Sequence, residues 1–165
     1  MGYQAYWKEG NEQQESNLLY ENEMQVKMLA IAENEQVARM VVSAFVAPVN
    51  PTLEELNDVK TAVSEAVTNA VIHGYPDAEI PGYVYLDCQL KDGVFYIVIE
   101  DNGVGIENVE QARQPLYTSK PEMERSGMGF AFMEAFMDEL KVSSSPGQGV
   151  TVTMKKRLGK GELDE

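Results

Sequence analysis

Residues 64–75 read SEAVTNAVIHGY and close a longer helical segment. Apolar residues recur at three- and four-residue intervals over residues 53–71, which is the spacing of one helix face. Thr52 is followed three residues later by Glu55, the capping-box pattern of a helix start. We therefore predict a helix that begins after Thr52 and takes Gly74 as its C-terminal cap.

Two polar side chains interrupt this apolar helix. Glu65 and Asn69 are four residues apart, so they share a face and lie one turn apart. A polar pair among apolar residues needs compensation, because unsatisfied buried polar groups are costly. One interpretation is a pair that faces a cleft, where Asn69 offers an amide oxygen to Mg²⁺ and Glu65 orients or deprotonates a hydroxyl. The alternative is a solvated helix face, and the pair alone leaves both open.

A glycine-rich turn follows the apolar run of residues 94–99. It begins with Asp101 and carries Gly103 and Gly105. Two glycines let the backbone turn sharply and let a flat ligand come close. A carboxylate at a strand end can accept a hydrogen bond from an exocyclic amine such as that of adenine. By itself the pattern is equally compatible with an ordinary acidic turn.

Two further glycine motifs lie near the C-terminal end. Residues 125–129 read RSGMG, and their backbone N–H groups at a helix start are typical of an anion site. Arg125 adds a charged donor suited to a terminal phosphate, although Ser126 as a plain helix cap is the alternative. Residues 147–151 read GQGVT. Thr151 is a candidate to bridge to a base, but the motif alone is typical of a hairpin turn.

The 165 residues predict one domain over 22–157, preceded by a loose extension or tag over 1–21 and followed by a polar tail over 158–165. The expected fold is a two-layer α/β sandwich, in which helices cover one face of a mixed, mostly antiparallel sheet. The predicted elements, in chain order, are a strand over 24–31, a helix from 33 that ends at Pro48, the helix after Thr52, a hairpin of strands 83–90 and 94–100, a long connection over 106–125, a helix over 130–138, and strands over 140–144 and 150–156.

Composition excludes several classes of function. A net charge of −14 argues against nucleic acid and against an anionic membrane surface as partners. One cysteine, Cys88, and one histidine, His73, make a disulfide impossible within the chain and a zinc site improbable. The N-terminus has no apolar stretch of signal-peptide type, and no apolar run is long enough to span a membrane. We expect a cytoplasmic protein.

The ordered series of these motifs resembles the GHKL ATPase superfamily. Within it, residues 64–75, 112–122 and 124–130 are similar to the first box, the lid and the third box of the sporulation-type anti-sigma factor kinases. The similarity runs from about residue 22 to 156, and the first 21 residues depart from it. It implies the Bergerat ATP-binding fold, ATP and Mg²⁺ as cofactors, and a homodimer.

The resemblance also implies a role for each motif. Asn69 would be the Mg²⁺ ligand and Glu65 the catalytic base, while Asp101 would bind the adenine amine with Thr151 in support. Gly103 and Gly105 would let the nucleotide lie flat. Residues that would contact the phosphates or form the lid over them are Thr118, Lys120, Arg125, Ser126, Gly127, Met128 and Gly129.

Members of that family transfer phosphate from ATP to a serine of an anti-anti-sigma protein of the STAS type, and they hold a sigma F-type factor inactive. By similarity Glu35 and Arg39 form the surface for these partners; the alternative is an exposed ion pair at i,i+4 spacing. Competing interpretations are the general-stress type of anti-sigma kinase, a binding module with a degenerate ATP site, and the catalytic domain of a histidine kinase or an Hsp90-like ATPase.

Overall fold

The computed structural model describes residues 21–117 and 128–159. Within these residues the strands are β1 (Asn22–Leu29), β2 (Tyr83–Lys91), β3 (Val94–Asp101), β4 (Glu139–Ser144) and β5 (Val150–Arg157). The α-helices are α1 (Glu33–Val46), α2 (Leu53–Asn69), α3 (Val109–Ala112) and α4 (Gly129–Phe136). The predicted order of elements is confirmed, and the long connection carries the short helix α3.

The five described strands form one sheet in the order β1-β2-β3-β5-β4, and each neighbouring pair is antiparallel. The two-layer α/β architecture is confirmed, but the expectation of a mixed sheet is wrong for these strands. Strands β3 and β4 do run in the same direction, since both are antiparallel to β5. Because β5 lies between them, they do not pair with each other.

The core lies between one face of this sheet and helices α1, α2 and α4. Side chains alternate across a strand, so every second residue of β2 and β3 points toward the helices. Leu86, Cys88 and Phe95 are buried there, together with Val42 of α1 and Val63 of α2. Burial, with a smaller contribution from the neighbouring Asp87, raises the pKa of the Cys88 thiol to about 12. Cys88 is therefore a packing residue, as its strand position predicts.

The start of α2 is built as predicted, whereas its end is not. The Thr52 hydroxyl accepts from the Glu55 backbone N–H (3.1 Å), and the Thr52 N–H donates to the Glu55 carboxylate (2.8 Å). At the other end the chain continues through a π-helical turn, Ala70–Gly74, and Tyr75 is the C-cap. Gly74 is thus not the cap. Glycine leaves room at this position for another residue: a Cβ there would lie 3.2 Å from the carboxylate of Asp101, closer than an ordinary van der Waals contact.

The described part of the expected C-terminal tail packs against the domain. Leu158 is buried, and its N–H donates to the carbonyl of Gly93 (2.9 Å). The N–H of Gly159 donates to the carboxylate of Glu55 (2.9 Å), the residue that also caps α2. Leu158 therefore supplies an apolar side chain to the core, and Gly159 is tied to the start of α2.

Candidate active site

A cavity of about 730 Å³ opens between α2, the ends of β3 and β5, and the segment around α3. Four predicted site residues line it: Asn69, Asp101, Gly105 and Gly129. Three separate motifs of the sequence therefore meet at one concavity. Asn69 therefore faces the cavity, whereas Glu65 is not among the residues that line it.

One end of the cavity, here called the helix end, is lined by Asn69 and Gly129, and Glu65 adjoins it at the start of α4. A Cβ built on Gly129 would lie 3.2 Å from the Glu65 carboxylate and 3.2 Å from the Asn69 amide nitrogen. The start of α4 thus touches both polar side chains of α2. An amide oxygen, a carboxylate and the N–H groups of a helix start together provide acceptors for a cation and donors for an anion.

The opposite end, here called the strand end, is formed by Asp101 and the glycines around it. Asp101 is only 4% exposed, and its Oδ1 accepts from the N–H of Gly103 (2.9 Å). Burial raises the pKa of this carboxyl to about 6, while hydrogen bonds from the N–H groups of Gly103 and Val150 oppose the rise. A buried carboxylate that faces a cavity can recognise a donor on a ligand.

Close backbone contacts hold Asp101 in place. A Cβ on Gly103 would lie 1.8 Å from the carbonyl oxygen of Gly74, and one on Gly149 would lie 1.9 Å from that of Asp101. Gly149 also has a φ of +69° and donates its N–H to the carbonyl of Gly103 (3.0 Å). At these two positions only glycine fits, so these glycines of the second and fourth motifs are required by packing.

A model of the histidine kinase-like ATPase domain matches residues 30–156 of the chain. The chain is 52% identical over 141 residues to an anti-sigma F factor of Bacillus licheniformis, covering 86% of this chain and 96% of that protein. It is 53% identical over 138 residues to an anti-sigma F factor of Clostridium kluyveri, covering 84% and 96%. The chain belongs to the anti-sigma F factor family.

The anti-sigma F family assignment agrees with the fold of solved structures. The RsbU and RsbW domains of a Mycobacterium tuberculosis protein superpose with a TM-score of 0.61 at 22% identity, covering 83% of this chain and 32% of that one. The histidine kinase domain of a blue-light activated kinase from Erythrobacter litoralis gives 0.50 at 18% identity, covering 76% and 66%. The predicted resemblance to GHKL ATPases is confirmed. None of the described helices has the length and apolarity needed to span a membrane.

Thr151, the predicted base contact of this anti-sigma F family member, does not reach the cavity. The β3–β5 register places Val150 opposite Asp101 and Thr151 opposite Glu100. Because successive side chains of a strand point to opposite faces, Thr151 points away from Asp101. Val150 lines the cavity instead. The register therefore places Val150, and not Thr151, on the cavity side of β5.

Several cavity residues were not predicted. His73 follows Asn69 by four residues and lines the same wall, so the spacing that marked Glu65 and Asn69 also marks it. Tyr75 does not line the cavity, but it supports the strand end. Its hydroxyl donates to the Tyr83 carbonyl (2.6 Å) and accepts from the Asn102 N–H (2.8 Å). Burial, the largest influence, raises the pKa of the Tyr75 hydroxyl. No spacing in the sequence points to Tyr75.

The remaining predictions divide into three groups. Gly103 and Met128 adjoin the cavity without lining it, and the Met128 carbonyl accepts from the Phe132 N–H (2.8 Å) at the start of α4. Glu35 and Arg39 lie on α1, away from the cavity. Five predicted phosphate or lid residues fall outside the described ranges, and they are Thr118, Lys120, Arg125, Ser126 and Gly127.

Proposed function

We propose that this chain is an anti-sigma factor that binds Mg²⁺-ATP, phosphorylates a serine of an antagonist protein and holds a sigma F-type factor inactive. The observation that carries the proposal is the cavity itself, in which a buried carboxylate at one end stands opposite a carboxylate, an amide and a helix start at the other. The names of the relatives point to the sigma factor as partner.

The strand end fits an adenine ring. Asp101 offers an acceptor to the exocyclic amine, and Ile99, Val150 and Val152 supply apolar surface against the ring. Gly105 lines the same wall, and a Cβ there would lie 2.1 Å from the Ser145 carbonyl oxygen, so packing requires glycine at this position. A flat apolar slot with one polar group at its base provides orientation as well as affinity.

The helix end fits the triphosphate and its cation. The described residues contain no cluster of three or more acidic, histidine or cysteine side chains that could hold a metal alone. Asn69 therefore would hold Mg²⁺ together with the phosphates of ATP, which is the usual mode for this ion. The bound ion would neutralise charge on the β- and γ-phosphates. Gly127, Met128 and Gly129 are the proposed phosphate cradle, with Ser126 beside it.

Glu65 is the proposed general base. The serine hydroxyl of the antagonist attacks the γ-phosphorus, the bond from that phosphorus to the bridging oxygen breaks, and ADP leaves. Glu65 takes the proton of the serine as the new bond forms. Arg125 would stabilise the charge on the transferred phosphoryl group, and Thr118 and Lys120 would contact it from the lid.

The partner surface is proposed on α1. Glu35 and Arg39 form an ion pair (Oε1 to Nη1, 3.6 Å) and remain partly exposed. If the sigma factor and the STAS-type antagonist share this surface, binding of one displaces the other. Phosphate on the antagonist adds about −1.5 to −2 charges, which a chain of net charge −14 repels. We further propose that the protein is a cytoplasmic homodimer that acts in sporulation.

The test is transfer of the γ-phosphate of labelled ATP, with Mg²⁺, to the cognate antagonist. We expect Glu65→Ala to keep nucleotide affinity but lose transfer by a factor of about 10² or more, the range for a general base. Asn69→Ala should weaken both, because it removes the cation's protein ligand. Equal losses of ATP affinity in the two variants would contradict these roles. ATP binding with no label on any antagonist serine would leave a nucleotide-gated binding module.

A further inference from the structure

A side-chain hydrogen bond joins the helix of the proposed partner surface to the helix of the proposed catalytic base. The hydroxyl of Ser64, on α2, donates to the carboxylate oxygen Oε1 of Glu35, on α1. Ser64 is 29 residues away from Glu35 in sequence and directly precedes Glu65. The two helices pack side by side in the helix layer, so this bond bridges their interface.

The same carboxylate oxygen also contacts Arg39. Oε1 of Glu35 lies 3.6 Å from Nη1 of Arg39, and the two side chains are 24% and 34% exposed. The Nε of Arg39 is buried and has no hydrogen-bond partner. Within the part of the chain that the structure describes, the guanidinium is therefore oriented by Glu35, and Glu35 is oriented by Ser64.

We infer that Ser64 is a positioning residue for partner binding: it fixes Glu35, and through Glu35 it presents Arg39 to the sigma factor. The inference rests on the proposed function, which places the partner surface at Glu35 and Arg39. Glutamate and arginine side chains lose considerable rotamer freedom when they are immobilised at an interface. A hydrogen bond already formed in the free protein removes part of that cost before the partner arrives.

The position of Ser64 also gives the bond a second consequence. Ser64 faces α1, whereas its neighbour Glu65 faces the start of α4, where its carboxylate would be 3.2 Å from a Cβ on Gly129. The helix that carries the proposed base therefore also carries the residue that orients Glu35 on the proposed partner surface.

The first measurement is the affinity of the Ser64→Ala variant for the cognate sigma F-type factor, with ADP or ATP bound. We expect a loss of about threefold to tenfold, the range for the net contribution of one typical intramolecular hydrogen bond, because Ser64 acts on the partner only through Glu35. Ser43→Ala is the matched control. Its hydroxyl lies on α1 and donates to the Arg39 carbonyl (2.6 Å), so it touches the same residue but not the Glu35 carboxylate. Its sigma affinity should stay at the wild-type value.

A double-mutant cycle separates positioning from a general loss of stability. If Ser64 acts through Glu35 on Arg39, Ser64→Ala should weaken sigma binding in the wild-type background and have no further effect in an Arg39→Ala background. Glu35→Gln keeps an oxygen that accepts from Ser64 but loses the ion pair. In that variant the Ser64→Ala substitution should also lose most of its effect.

The outcomes distinguish this inference from the proposed function. If Arg39→Ala itself leaves sigma affinity unchanged, α1 is not the partner surface and the proposed function fails at that point. If Arg39→Ala weakens binding while Ser64→Ala does not, only the positioning role is overturned. Equal losses from Ser64→Ala in the wild-type and Arg39→Ala backgrounds would also overturn it, because the hydroxyl would then act independently of Arg39.

Discussion

The two ends of the cavity are built by different means. The strand end consists of backbone in close contact, with Asp101 buried beneath Gly74, Gly103 and Gly149. The helix end consists of the side chains of Glu65 and Asn69 against the start of α4, and both side chains are partly exposed. The first end is defined by shape and the second by chemical groups.

This difference indicates at which end of the cavity the protein tolerates substitutions. A side chain that meets backbone has nowhere to move, since both partners belong to the sheet or to the turn beside it. A side chain that meets the end of a flexible carboxylate can displace it by a few tenths of an ångström. Substitutions of the same kind should therefore be severe at the strand end and graded at the helix end, and three predictions test this.

The largest effect is expected from Gly149→Ala. The new Cβ would lie 1.9 Å from the Asp101 carbonyl oxygen, at a φ of +69°, so the β3–β5 contact must open. We expect a loss of at least about 4 kcal/mol in the free energy of unfolding, which is the exceptional range for one substitution. ATP binding should be lost with it. Urea unfolding and nucleotide titration measure the two effects.

Gly147→Ala is the matched control for this substitution. Gly147 also has a positive φ, +75°, but a Cβ there meets nothing within 4 Å. Only the strain of a left-handed alanine remains, which is about 1–2 kcal/mol. Similar losses of stability in the two variants would show that backbone conformation matters at this turn and that the close contact with Asp101 does not.

An intermediate effect, on both stability and nucleotide affinity, is expected when a change of pH alters the charge of Asp101. Burial raises the pKa of its carboxyl to about 6, from 3.8. In the ligand-free protein the folded state holds this proton more tightly than the unfolded state, so the contribution of Asp101 to stability decreases as pH rises from about 4 to 6 and then levels off. Adenine recognition needs the ionised acceptor. Nucleotide affinity should therefore change in the opposite direction and fall roughly tenfold from pH 7 to pH 5, in proportion to the ionised fraction.

The Asp101→Asn variant isolates the contribution of this carboxyl to the pH dependence of nucleotide affinity. ADP titrations at each pH contain contributions from the phosphates of the ligand, and those contributions are common to both proteins. The variant should bind ADP more weakly at pH 7 and lack the part of the pH profile that belongs to Asp101. Parallel profiles for the variant and the wild type would show that Asp101 does not titrate in the ligand-binding range.

The sequence predicts the helix end better than the strand end. Glu65 and Asn69 could be found because helical spacing places them on one face among apolar residues, and their spacing also marks His73. The role of Gly74 could not be found in this way. It depends on a carboxylate 27 residues away in the chain, which only the packing of the π-helical turn against β3 brings near.

Thr151 shows a second limit. The motif of residues 147–151 leads into β5, but successive side chains of a strand point to opposite faces, so a difference of one position decides whether a side chain faces the cavity. The pairing of Asp101 with Val150 fixes that register, and it depends on Gly149 approaching the Asp101 carbonyl. Turn geometry of this kind follows from contacts between distant motifs, which periodicity within one segment does not contain.

The smallest effect on stability is expected at the helix end, from Gly129→Ala. A Cβ there would lie 3.2 Å from the ends of the Glu65 and Asn69 side chains, and both can shift. Alanine is favoured over glycine in a helix interior by about 1 kcal/mol, and the part of this gain that remains at the first residue of α4 opposes the crowding, so the change in stability should stay below about 1 kcal/mol. Displacing the proposed base and cation ligand by a fraction of an ångström should slow phosphoryl transfer by roughly tenfold, because orientation controls such steps. Urea unfolding measures the effect on stability, and single-turnover transfer measures the effect on the phosphoryl-transfer rate. A variant that unfolds as readily as Gly149→Ala would show that the helix end is as rigid as the strand end, and the contrast between them would not hold.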